Sequence, residues 1–114
     1  KFKRVIQSVF YNNKYIGVSY SDPKKENSWH IKVYDMNGKT VMENDTEIAY
    51  NRIELLDNNE ICVRDDYNCE LFTIHSIRKF RYTFDRQLYN VLSGSDGQNY
   101  TLVLNGEIEE VRLQ

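Results

Sequence analysis

At 114 residues the chain has the length of one domain, and 40% hydrophobic with 28% charged residues is the composition of a soluble globular protein, not a disordered one. A formal net charge of −2, with the bases interleaved among acids, argues against a nucleic-acid stripe. No apolar run is long enough to span a bilayer, and no signal-peptide core is present.

Taken in chain order, short extended segments alternate with turn signals. Asn12-Asn13 precedes Tyr15 to Tyr20, and a polar insertion, Ser21 to Ser28 around Asp22-Pro23, precedes Trp29 to Tyr34. Asn37-Gly38 closes the next hairpin. Asn58-Asn59 leads into Glu60 to Arg64, Asp66 to Asn68 into Leu71 to Ile74, Asp96-Gly97 into Tyr100 to Leu104, and Asn105-Gly106 follows. Asn, Asp and Gly tolerate the positive φ of tight hairpin turns, and the segments between them are rich in β-branched and aromatic residues. Along Trp29 to Tyr34, residues Trp29, Ile31 and Val33 fall on one face and His30, Lys32 and Tyr34 on the other. No stretch holds a helical period.

The plan repeats. Val5 to Tyr20, Arg52 to Arg64 and Leu88 to Leu104 each read as strand, Asn/Asp/Gly turn, strand, and a further hairpin follows the first two. The period is about forty residues with four strands per unit, the spacing of propeller blades. The approximate repeats are 5–47, 48–86 and 87–114 of one all-β domain, residues 1–114. The chain lacks an initiating Met and its last repeat is short, so the expectation is a fragment of a longer propeller, with any membrane anchor in sequence not present here.

Ser93-Gly-Ser-Asp-Gly-Gln98 before Tyr100 to Leu104 resembles the turn between the first two strands of many propeller blades, and Val33-Tyr-Asp-Met-Asn-Gly-Lys39 resembles their third-strand hairpin. The chain thus resembles a WD40-like or YVTN-like β-propeller segment, a type found in membrane-anchored Gram-positive proteins. The resemblance implies all-β, antiparallel four-stranded blades, about three of them. A lone blade cannot bury both faces, so blades at the ends need a neighbour. Closure by a homodimer of about six blades is one solution. A compact β-sandwich or open barrel is the alternative.

No catalytic, cofactor or metal set emerges. The two histidines, His30 and His75, read as a surface strand residue and a turn residue. Neighbouring Glu109 and Glu110 point to opposite faces of a strand and cannot act as an acid/base pair. Asx hydrogen bonding accounts for Asp65 and Asp66, and Asp65, Asp66 and Asn68 lack the loop and distal Glu of a calcium site. Gly94 to Gly97 precedes a strand, not a phosphate-binding helix. Cys62 and Cys69 fall diagonally on one face of a hairpin and read as free buried thiols. The basic runs Lys1 to Arg4 and Arg78 to Arg81 read as solvated strand residues.

The functional colour lies in nine tyrosines and one tryptophan. Such rings pair an apolar body with a polar tip and suit protein or glycan surfaces. Tyr20, Trp29, Tyr34 and Tyr67 are the candidate ligand contacts, with the insertion beside Trp29 as the contact surface. The reading is a non-enzymatic binding or scaffold module, extracytoplasmic or on the cell surface of a bacterium, contacting protein or glycan but not nucleic acid. A piece of a glycan-active propeller enzyme and a structural spacer are the alternatives.

Overall fold

The computed structural model describes residues 5–21, 29–46, 52–94 and 97–113. Among them every regular element is a β-strand: β1 (Val5–Tyr11), β2 (Tyr15–Ser21), β3 (Trp29–Asp35), β4 (Thr40–Thr46), β5 (Arg52–Leu55), β6 (Ile61–Arg64), β7 (Asn68–Phe72), β8 (Arg78–Thr83), β9 (Leu88–Ser93), β10 (Asn99–Leu104) and β11 (Glu107–Arg112). They form three antiparallel meanders: sheet 1 is β1-β2-β3-β4, sheet 2 is β5-β6-β7-β8 and sheet 3 is β9-β10-β11. Among the described residues the sheets do not close on one another. The fold is therefore all-β, as the turn spacing predicts, with three antiparallel sheets of three or four strands, an arrangement consistent with propeller-like blades or a sandwich.

The turns show why consecutive strands pair. Asn12 accepts the amides of Lys14 and Tyr15 at its Oδ1, both at 2.8 Å, and so folds β1 onto β2. Asp35 does the same for Asn37 and Lys39, and Gly38 supplies the left-handed residue at φ 82°. Asn59 and Ser76 hold positive φ in the β5–β6 and β7–β8 turns.

Several boundaries differ from the sequence expectation, and β7 begins three residues early, at Asn68. β7 ends at Phe72 instead of Ile74, because Thr73 opens a turn: its amide donates to the Ile77 carbonyl at 2.8 Å, and its Oγ1 accepts the His75 and Ile77 amides. Glu60 lies outside β6, because its carbonyl closes the preceding turn with the Leu56 amide at 2.8 Å. The composition of both stretches is strand-like; side-chain and backbone turn bonds override it.

The sheets stack face to face. Phe10, Ile31, Val33 and Met42 of sheet 1 meet Ile53, Ile61, Val63 and Phe72 of sheet 2 in one core. Leu56, Cys62, Cys69, Leu71 and Phe84 meet Leu88, Val91, Tyr100, Leu102 and Leu104 of sheet 3 in a second. Sheet 2 is thus covered on both faces. Equivalent turns of sheets 1 and 2 touch, with Asn12 donating to Asn59 Oδ1 at 2.9 Å. The stack also buries charge: Glu70 is fully buried and accepts from Arg78 Nε at 2.9 Å.

The repeat extends to irregularities. Val33 pairs with Met42 and Tyr34 with Thr40, so Val41 is a bulge in β4. Leu71 pairs with Phe80 and Phe72 with Arg78, so Lys79 is the matching bulge in β8.

Candidate functional site

The register assigns every strand residue to one of two faces, because directly paired residues point the same way. On one face of sheet 1 the pairing runs Val9–Val18–Lys32 across β1, β2 and β3. The equivalent rows are Ile53–Val63–Glu70 in sheet 2 and Val91–Leu102–Glu109 in sheet 3. The next rows are Tyr11–Ile16–Tyr34, Leu55–Ile61–Phe72 and Ser93–Tyr100–Val111. In sheets 2 and 3 this is the face that receives the preceding sheet. Ile53, Val63, Val91 and Leu102 are all buried there. In sheet 1 the same face points outward. Val9 is 57% exposed, Tyr11 74% and Ile16 41%. An apolar face patterned for burial is left open.

A polar margin borders it. His30 sits between two carboxylates of β4, with Nδ1 2.6 Å from Asp45 Oδ1 and Nε2 2.9 Å from Glu43 Oε2. Pairing puts Asp45 directly opposite His30, and Glu43 opposite Lys32. The Tyr20 ring lies 5.0 Å from the imidazole, and Lys32 Nζ lies 5.5 Å from the centre of the Tyr34 ring. The open face therefore has an apolar side on β1 and β2 and a hydrogen-bonded charged rim on β3 and β4.

The four aromatic candidates do not gather at one point. Tyr20 and Tyr34 share the open face, half-buried on β2 and β3 in different rows. Trp29 is half-buried at the start of β3, on the strand face that carries buried Ile31 and Val33. Tyr67 is exposed in the β6–β7 turn of sheet 2, its amide bonded to Asp65 Oδ1 at 2.8 Å. Of the insertion beside Trp29, residues 22–28 lie outside the described residues.

The remaining sequence candidates resolve as follows. Cys62 and Cys69 are free and buried, Sγ to Sγ 3.7 Å, on the diagonal that the hairpin register sets. The hydrogen bond shared with Cys69 and burial push the Cys62 thiol well up, which makes it a poor nucleophile. Asp65 caps its turn by accepting the Tyr67 and Asn68 amides. His75 is exposed in the β7–β8 turn. Among the described residues, no cluster of three or more His, Cys, Asp or Glu could hold a metal ion.

One cluster is absent from the sequence reading. Lys79, the β8 bulge, reaches across to sheet 3: its Nζ donates to Glu60 Oε2 at 2.7 Å, the Gly97 carbonyl at 2.6 Å and the Tyr100 hydroxyl at 2.9 Å. Tyr100 in turn donates to Glu60 Oε1. Burial alone would push the Lys79 ammonium down, but its bonds to Glu60 and Tyr100 outweigh that and raise its pKa. Burial and the bond to Glu60 raise that of Tyr100. These three donor bonds end on acceptors of sheets 2 and 3 and their turns, so the cluster is a polar rivet between the two sheets. The signal that could have found it is Glu60, an acid at the strand-entry position that Tyr15 fills in the first repeat.

Neither a curated protein nor a solved structure matches the chain. Over residues 1–113 it matches the family of unknown function DUF5711, and it belongs to that family.

Proposed function

We propose that this chain is a non-enzymatic binding and scaffold module, a run of propeller-like blades that engages another protein through the open face of sheet 1. The observation that carries the reading is that face itself. Val9 and Ile16 are exposed where their counterparts Ile53, Val91, Ile61 and Tyr100 are buried, and Tyr11 is exposed where Leu55 and Ser93 are half-buried. Contiguous apolar surface with a polar rim costs solubility and is characteristic of interaction sites. The partner it suits is a protein that presents an apolar β-face of the kind sheets 1 and 2 present to their own neighbours. Tyr20 and Tyr34 then act as rim contacts. The resemblance to segments of membrane-anchored Gram-positive proteins favours an extracytoplasmic setting.

A photo-crosslinking amino acid at position 16, in cells that make the protein, tests this. The expected result is one discrete protein adduct that is missing when the same amino acid replaces Asp85, an exposed loop residue. No adduct at position 16, or the same adducts from both positions, would overturn the reading.

A further inference from the structure

We infer that the partner on the open face of sheet 1 is a second copy of this chain, presenting the outward face of its sheet 3. This rests on the proposed docking role of that face and names its occupant.

The chain carries both halves of the contact. Within it, each sheet offers one face to the next. Sheet 1 offers the row Phe10–Gly17–Val33 and sheet 2 the row Glu54–Cys62–Leu71. The equivalent row of sheet 3 is Leu92–Thr101–Glu110, and the row beside it is Asn90–Val103–Ile108. That face looks outward, with Leu92 50% and Ile108 68% exposed. Among the described residues, one end of the stack thus has a receiving face with no sheet on it, and the other end has an offering face with no sheet beneath it. Their pairing would repeat the register already used twice inside the chain.

Charge does not oppose the match. The receiving face carries Lys32 with Glu43 opposite it on β4, and the offering face carries Glu110 with Arg112 two residues further along β11, so each face presents both signs. A two-fold axis makes the contact twice, sheet 1 on sheet 3 in each direction, so that two copies of three sheets close a ring of six with both open faces covered.

Light scattering on a sizing column tests the inference with the whole chain and two variants. The parent is expected to have twice the mass of a single chain. Ile16→Lys on the receiving face and Ile108→Lys on the offering face should each weaken the dimer by about 100-fold. Both positions are exposed in the single chain, so circular dichroism should remain unchanged, and Val9→Lys provides a second variant of the receiving face. An equimolar mixture of Ile16→Lys and Ile108→Lys should recover dimer, because one of its two contacts is intact. A monomeric parent at sub-millimolar concentration would overturn the inference, as would a dimer that only one of the two lysines disrupts. In either case a heavier, non-self adduct at position 16 would still uphold the docking role, so the two readings fail separately.

Discussion

Gly17→Ala is expected to destabilise the chain by about 3 kcal/mol, the upper part of the usual range for overpacking a core. Gly17 sits in the middle of β2, between Phe10 of β1 and Val33 of β3. The Phe10 ring lies over it, and an added Cβ would overlap Cε2 and Cζ of that ring. The ring cannot swing away freely, because it is buried in the core shared with sheet 2. The glycine is thus a seat for an aromatic side chain, and its conformational freedom is incidental. A double-mutant cycle in urea isolates the effect. In a Phe10→Leu background, Gly17→Ala should cost less than about 1 kcal/mol, and the difference is the coupling between the pair. An equal cost in both backgrounds would mean the ring is not what the methyl meets.

The second large effect concerns the rivet between sheets 2 and 3. Glu60→Ala should cost about 3 kcal/mol, the low end for stranding one charge of a buried pair, since Lys79 keeps some access to water. Tyr100→Phe should cost about 1 kcal/mol, one hydrogen bond's worth. The pH dependence has a defined sign. Lys79 and Tyr100 both hold their protons more tightly in the folded chain. Their contribution is therefore complete below their ordinary values of about 10, and is lost as pH rises through the raised folded values. Unfolding free energy measured from neutral to strongly alkaline pH should fall above about pH 10, and Glu60→Gln should flatten that fall. An equally steep fall in Glu60→Gln would show that the two groups are not coupled to Glu60.

Much of the architecture was legible in the residues. Asn, Asp and Gly at turns mark the hairpins, and period-two alternation assigns Ile31 and Val33 to a buried face. The Cys62–Cys69 diagonal follows from the short turn between their strands. The candidate site was less legible. Alternation says that Val9, Ile16 and Tyr34 share a face, but whether that face is covered depends on which sheet packs where, a long-range fact that local pattern does not contain. The Lys79 cluster was hidden for a related reason. A bulge rotates Lys79 out of strict alternation and aims it at the neighbouring sheet, so a residue that reads as solvated becomes an inter-sheet ligand. His30 reads as a surface residue, and its two carboxylate partners come from β4 only once that strand is in register.

The central claim is that the open face of sheet 1 is the equivalent of two buried faces, with no sheet packed on it among the described residues. Thermal unfolding of Val9→Lys, Ile53→Lys and Val91→Lys, one row position in three sheets, tests it most directly at a concentration low enough to hold the chain monomeric. The account predicts that Val9→Lys melts within a few degrees of the parent, while the other two fail to fold or lose most of their stability, as a lysine forced into a packed core does. A Val9→Lys variant as damaged as the other two, or three variants that all melt like the parent, would contradict it.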